Sequence, residues 1–393
     1  MEISMANTLQ PDANVVVVTE ANQYLDLSGV DNTTVVALGA ADAIDLFGAY
    51  YEDGEGSGNT VILTGYESSV AIGGSYNNGQ NDIQLFGYQE TVTGQPFPGS
   101  TDTIEVDGKD DAVDIGGYNS VILNGTDNRV TIEPILRADD QDPMGQNSVV
   151  ANGAGKETVI GGGAVFTFQG GAGRYLIEGG SAEQATISGG AGGGTFVGGY
   201  FMDSTHSIVP YYSGDNVITA GLQASTLIGG LHGSSLLIAQ GSARDVLVAG
   251  EYGRDTLSGG TSTASNIYEG YSGTYQPSDD PAVSSLVIQA GSGNDTLIAG
   301  LAAETMTGGA GRDQFRFLAH AAGAIPPGGD RTVITDFTQG IDKIDLRGFN
   351  VTSEQVVAAE TISGGSTHLS LPDGMKITLL DIADLSAKDF THS

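Results

Sequence analysis

The chain has 393 residues, with 14 Lys or Arg against 48 Asp or Glu, a formal net charge of −34. So acidic a polypeptide has no basic surface with which to wrap nucleic acid or dock on anionic lipid, and it attracts divalent cations instead. Cysteine is absent, so disulfides stabilise nothing here, and a metal is the natural staple. Hydrophobic residues make up 39 % and are regularly spaced, unlike an acidic disordered tail.

The opening Met1-Glu-Ile-Ser-Met-Ala lacks the basic start and apolar core of a cleavable signal peptide. No apolar run reaches the roughly 18 residues of a membrane span, so no membrane insertion is expected. From Asn14 to about Asn128 one phrase recurs: a small polar residue, alternating apolar positions, then glycine. Asn59-Thr-Val-Ile-Leu-Thr-Gly, Ser68-Ser-Val-Ala-Ile-Gly-Gly, Asp102-Thr-Ile-Glu-Val-Asp-Gly, Asp111-Ala-Val-Asp-Ile-Gly-Gly and Asn119-Ser-Val-Ile-Leu-Asn-Gly are examples. Alternation bounded by Gly and Asn predicts short strands, and regular short rungs predict a solenoid. Asn at the phrase start is expected to form a hydrogen-bonded ladder. Residues 1–160 are thus read as an N-terminal β-solenoid, with loops at Tyr50–Gly56, Gln95–Thr101 and Ile135–Gln146. Asp139-Asp140-Gln141-Asp142 reads as a solvated acidic loop, calcium binding being the other reading.

Residues 161–284 read as glycine-rich and then decapeptide solenoid. Gly170-Gly-Ala-Gly-Arg-Tyr175 and Gly189-Gly-Ala-Gly-Gly-Gly194 have the form of a tight turn without an acid, so coil packing without metal is expected there. Tyr200–Tyr212 reads as an aromatic excursion. From Ser225 the period is ten residues, with Leu227, Leu237, Leu247 and Leu257 inward. If coils alternate edges, Ser225, Asp245, Ser265, Asp295 and Asp313 share one edge, and Ser235, Asp255, Ser285 and Glu304 the other. Residues 266–284, with Tyr268, Tyr271 and Tyr275, read as a loop that interrupts the stack.

Residues 285–318 carry the strongest signal. Steps of nine join Asp295, Glu304 and Asp313, with Leu297, Met306 and Phe315 inward, in the nonapeptide Gly-Gly-x-Gly-x-Asp-x-U-x, where U is large and apolar. Glycine permits the turn, and the freed carbonyls and the Asp carboxylate supply the hard oxygens that calcium takes six to eight at a time. The candidate metal residues are Gly291, Gly293, Asp295, Gly309, Gly311 and Asp313, the two turns sharing one ion. Gly253 and Asp255 form a further candidate, and Asp245 a lesser one.

Gly308-Gly-Ala-Gly-Arg-Asp-Gln-Phe-Arg-Phe317 resembles the last repeat of the RTX (repeats-in-toxin) calcium-binding secreted proteins, the hemolysin-type repeat. Asp330–Leu346 resembles the segment after the β-roll of serralysin-type C-terminal domains, and Asp384-Leu-Ser-Ala-Lys-Asp-Phe390 a terminal type I secretion region. The resemblance is carried by about 240–393. It implies a parallel β-roll folding on Ca²⁺ outside the cell, and export by type I secretion machinery without an N-terminal signal peptide. Residues 319–393 are then a C-terminal cap and secretion region, with strands at Thr332–Asp336, Lys343–Leu346, Thr367–Leu371 and Lys376–Leu380, a hairpin turn at Pro372-Asp-Gly374, and a connection at Ala319–Gly329.

His206, His232, His320, His368 and His392 are scattered, with no His-Glu-x-x-His and no Gly-x-Ser-x-Gly, so neither a zinc protease nor a lipase domain is expected. The expected fold is all-β: a right-handed parallel β-solenoid with a β-rich cap. The expected role is a non-enzymatic extracellular or bacterial cell-surface protein, an S-layer, biofilm-matrix or adhesive element. Its expected partners are itself or cell-surface polysaccharide. A carbohydrate-binding adhesin, with the tyrosines of Tyr200–Tyr212 and Tyr268–Tyr275, and a β-helical polysaccharide lyase or epimerase are the alternatives.

Overall fold

The computed structural model describes residues 15–391 except 28–29, 31, 48–57, 74–79, 95–100, 134, 137–142, 181, 183, 200–214, 232, 252, 272–284 and 320–330. The expected acidic loop at 139–142, the tyrosines of 200–212 and Tyr275 lie outside the described residues. The chain divides into two compact units, Met1–Gly192 with Gly199–Tyr211, and Gly193–Gly198 with Tyr212–Ser393.

In the first unit, strands alternate between two parallel ladders. One contains Val15–Val18, Thr34–Ala37, Thr60–Leu63, Asp82–Leu85, Thr103–Val106, Ser120–Leu123, Gln146–Ala151, Val165–Gly170 and Gln184–Ser188. The other contains Tyr24–Asp26, Ala43–Phe47, Ser69–Gly73, Thr91–Gly94, Ala112–Gly116, Arg129–Glu133, Lys156–Ile160 and Arg174–Glu178. Each coil therefore holds two strands. Alternation sends Val35, Val61, Ile83, Ile104 and Val121 inward, where register stacks each on the next and none is exposed. Such β-branched residues suit a pleated surface, and each full burial contributes roughly 1.5–3 kcal/mol. Corner residues of adjacent coils are 17 apart at Asp102 and Asn119 but 29 apart at Asn128 and Glu157. Extra residues loop out while the register continues, because slipping by one would turn every apolar side chain outward.

The second unit repeats this plan. Phe196, Leu227, Leu247, Tyr268, Leu297, Phe315 and Ile344 form one inward column, and Ile218, Leu237, Leu257, Ile288, Met306, Ile334 and Leu379 the other, all of them fully buried. The reading of 266–284 as a loop is corrected at its start. Ile267–Glu269 is a strand between Val246–Val248 and Thr296–Ile298. Tyr268 can be buried because its hydroxyl donates to Ala290 O at 2.7 Å and accepts from Asn266 Nδ2 at 3.1 Å.

The end of the second unit departs from the rungs. Lys376–Leu379 runs parallel to Arg331–Ile334 but antiparallel to Ser366–Ser370, which pairs in turn with Thr361–Ser363. A short helix, Ser353–Ala358, absent from the sequence reading, begins at a Thr352/Gln355 capping box. Lys376–Leu379 and the antiparallel strands beyond it cover the edge that Arg331–Ile334 would otherwise leave open.

Candidate metal centre

At most rungs of one edge, the corner position just before the inward residue carries a polar residue whose side-chain oxygen accepts the N–H of its counterpart one coil earlier. In the second unit, Ser225 N–H donates to Asp245 Oδ1 (2.8 Å), Asp245 to Asn266 Oδ1 (2.9 Å), and Asn266 to Asp295 Oδ1 (2.7 Å). Asp295 N–H then donates to Asp313 Oδ1 (2.9 Å), and Asp313 N–H to Asp342 Oδ1 (3.0 Å). The ladder corrects two expected positions. Asn266, not Ser265, lies on this edge, and on the other edge Leu286, not Ser285, lies opposite both Asp255 and Glu304. Inserted loops shift the phase by one residue, which a count of tens cannot follow.

The second carboxylate oxygen separates the acids into two groups. Asp245 Oδ2 accepts from Gln240 N–H (3.2 Å), Asp255 Oδ2 from Gly250 N–H (2.6 Å), and Asp342 Oδ2 from Thr338 N–H (2.7 Å). Asp295 Oδ2 and Asp313 Oδ2 are buried and have no hydrogen-bond partner. An unpaired carboxylate oxygen away from water costs free energy unless a cation or proton meets it. Burial raises the Asp295 carboxyl to about 6. Burial raises that of Asp313 to about 7, with the charges of Asp342, Asp295 and Asp336 adding to it.

Backbone oxygens crowd the same turns. A Cβ on Gly293 would lie 1.9 Å from Ala264 O and 2.8 Å from Asp295 Oδ1; one on Gly311, where φ is +153°, would lie 1.8 Å from Gly293 O. Gly309 approaches Gly291 O in the same way, its Cβ position 2.0 Å away. The Gly308 and Gly309 N–H groups donate to Asp336 Oδ1 (2.9 Å) and Oδ2 (2.7 Å), so this turn is tied to the next coil. Gly311→Ala is therefore expected to destabilise the full chain by on the order of 3 kcal/mol in urea titrations with calcium present. Gly340→Ala, where φ is +76° and nothing lies within 4 Å, should cost only about 1–2 kcal/mol.

Two orphaned carboxylate oxygens among close carbonyls suit a hard divalent cation such as calcium, which takes oxygen ligands only. Among the described residues no three acidic, histidine or cysteine side chains converge as a metal cluster, so carbonyls must supply most of the ligands. The structure thus brings Gly293, Asp295, Gly309, Gly311 and Asp313 together on adjacent turns, with Gly291 (φ +105°) beside them. Gly253 repeats the close approach, its Cβ position 1.8 Å from Gly233 O, but both oxygens of Asp255 already accept backbone N–H groups. At Gly170–Tyr175 the Tyr175 hydroxyl accepts from the N–H of Gly171 (2.8 Å) and Gly173 (3.0 Å), a neutral group where the nonapeptide has its acid.

Asp336 and Asp342 were not singled out from the sequence. The signal for Asp342 was available: it precedes inward Ile344 by two residues, as Asp295 precedes Leu297 and Asp313 precedes Phe315. Deeper in the terminal region Asp345 is fully buried between Arg316 Nε (3.0 Å) and Arg347 (2.6 Å). Burial pushes its carboxyl upward, but the hydrogen bonds from Arg347 and Arg316 outweigh that and hold it at about 2.

Two-strand parallel coils closed by glycine turns with carboxylates at the corners define a parallel β-roll. Residues 283–391 match the family described as Peptidase M10 serralysin C terminal. That span holds both orphaned aspartates, Asp336, Asp342 and the terminal unit. Comparison of the chain with curated proteins finds no match.

Proposed function

We propose that the chain is a secreted, non-enzymatic β-solenoid that folds on calcium outside the cell and serves as an extracellular structural or surface element. Export would use type I secretion machinery, addressed by the C-terminal region. The observation that carries this reading is the pair of buried, unpartnered Oδ2 atoms of Asp295 and Asp313 on adjacent carbonyl-lined turns, within the span that matches the serralysin C-terminal family. At low calcium these carboxylates repel one another and the roll opens, leaving a chain that can be threaded outward. At extracellular calcium, an ion present at about 100 times its Kd stabilises the folded state by about 2.7 kcal/mol. No helix among the described residues is long and apolar enough to cross a membrane.

The test is calcium titration of the full-length protein and of D295N/D313N, followed by circular dichroism and protease resistance. Wild type should gain order as calcium rises to the millimolar range, and the double variant should need about tenfold more calcium or fail to respond. Identical order in chelator and in calcium would overturn the reading. Electron microscopy with and without chelator tests assembly into larger arrays. A carbohydrate-binding role is favoured by one observation, that exposed Tyr66 and Tyr88 sit at paired backbone positions of successive coils, with exposed Phe86 two residues before Tyr88. Saturable glycan binding without calcium-dependent assembly would select it.

A further inference from the structure

The two edges of the first unit differ in chemistry. On one, N–H groups donate to side-chain oxygens in an unbroken series: Thr33 to Asn59 (2.9 Å), Asn59 to Asn81 (3.2 Å), Asn81 to Asp102 (3.0 Å), Asp102 to Asn119 (3.1 Å) and Asn119 to Asn147 (3.0 Å). The spare atom of each asparagine is an amide nitrogen with an acceptor. Asn59 Nδ2 donates to Val30 O, Asn119 Nδ2 to Gly116 O, Asn147 Nδ2 to Gly162 O and Asn81 Nδ2 to Asp102 Oδ1.

The opposite edge keeps the ladder but puts acids in it. Gln23 N–H donates to Asp42 Oδ1 (3.0 Å), Glu90 N–H to Asp111 Oδ1 (2.8 Å), and Asn128 N–H to Glu157 Oε2 (2.8 Å). Here the spare atom is an oxygen. Asp42 Oδ2, Glu90 Oε1, Asp111 Oδ2 and Glu157 Oε1 have no hydrogen-bond partner, and all four residues are at most 3 % exposed. Carbonyl oxygens stand close by. The Cβ position of Gly87 is 2.0 Å from Gly65 O and 2.5 Å from Glu90 Oε1; that of Gly108 is 2.4 Å from Gly87 O and 2.3 Å from Asp111 Oδ2. This is the pairing of carbonyl and orphaned carboxylate seen at Asp295 and Asp313, in turns without the nonapeptide. Gln89 (φ 57°) and Asp110 (φ 58°) fill their left-handed positions instead of glycine. The nearby cation Lys109 is turned outward, 3.8 Å from Asp110 and 3.9 Å from Asp127.

We propose that the stacked turns Gly87–Glu90 and Gly108–Asp111 form a calcium-class divalent-cation site in the first unit, with Glu90 Oε1, Asp111 Oδ2 and the Gly65 and Gly87 carbonyls as ligands. Gly65 O and Gly87 O each accept one backbone N–H, from Tyr88 (3.3 Å) and Lys109 (3.2 Å), and keep a second lone pair, whereas Glu90 Oε1 and Asp111 Oδ2 accept none. A hard cation satisfies the two carboxylate oxygens and takes the carbonyls to fill its shell. The site is separate from Asp295/Asp313, so it stands or falls independently of the proposed function.

The test uses the full-length protein with D295N/D313N already in place, so that loss at the C-terminal turns is not mistaken for loss here. Equilibrium dialysis against calcium alone at neutral pH should show residual binding in the 10⁻⁴–10⁻³ M range of extracellular modules. Adding E90Q/D111N, which preserves side-chain shape, should remove about one ion per chain. Unchanged calcium content overturns the proposal and assigns protons, not a metal, to these oxygens. Should E90Q/D111N not fold, Tyr66 and Tyr88 provide a local reporter in the otherwise unaltered site. Terbium bound there should emit on tyrosine excitation and lose most of that emission in Y66F/Y88F. Emission unchanged by Y66F/Y88F likewise overturns it.

Discussion

Phe315→Ala is expected to destabilise the second unit by about 3–5 kcal/mol, read as a lower urea midpoint with an unchanged m-value. Phe315 is fully buried, stacked between Leu297 and Ile344 in the inward column, with the Phe337 ring 5.9 Å away between centroids. Backbone ladders hold the flanking coils, so the space cannot collapse, and the cavity persists. Phe315→Leu, which keeps most of the volume, should cost far less, about 1–1.5 kcal/mol. Calcium response should weaken with Phe315→Ala as well, because Asp313 sits two residues earlier on the same rung. A Phe315→Ala protein as stable as wild type would mean that the column does not hold the second unit together.

Acidification in chelator should stabilise the protein, opposite to the usual effect of acid. Burial raises the carboxyls of Glu90 and Glu157 to about 7 and those of Asp102 and Asp111 to about 6. The folded chain therefore holds more protons than the unfolded chain between about pH 4 and 7, and stability falls as pH rises through that window. Each group contributes its stability fully below its unfolded pKa and has lost it once pH passes the folded value. A shift of two units corresponds to about 3 kcal/mol, and these groups add to one another only in part because Glu90, Asp111 and Glu157 share an edge. Thermal melts with EDTA present should give a melting temperature several degrees higher at pH 5 than at pH 8. A higher value at pH 8 would show that the buried carboxyls are compensated by groups other than protons. The overall charge of −34 acts in the same direction, since protonation relieves self-repulsion.

Much of the architecture was legible because a rung is local. The phrase beginning at Asn59 becomes strand Thr60–Leu63, and those at Asp102 and Asn119 become Thr103–Val106 and Ser120–Leu123. The asparagine ladder was legible for the same reason, since Asn59 and Asn119 each hold the corner position of a rung. Tyr268 was misread because a tyrosine among glycines and serines resembles a surface loop. Its burial depends on Ala290 O and Asn266 Nδ2, one of which belongs to the next coil. The helix Ser353–Ala358 was missed because six residues are too few to show a helical period.

The amino-acid sequence by itself determined the rung, the inward columns and the glycine turns of the C-terminal repeats, because alternation and turn chemistry act over fewer than ten residues. The nonapeptide already ranked Asp295 and Asp313 above Asp255 and Asp245 as cation candidates, but only the tertiary structure supplied the physical difference. A backbone N–H bonds the second oxygen of Asp245 and Asp255, whereas those of Asp295 and Asp313 have no hydrogen-bond partner. The same holds for Glu90 and Asp111, whose turns lack the nonapeptide but face carbonyls of the preceding coil. Whether a buried carboxylate oxygen finds a donor depends on the phase of the neighbouring coil. That phase is set by loops of variable length, which the spacing within one rung does not record.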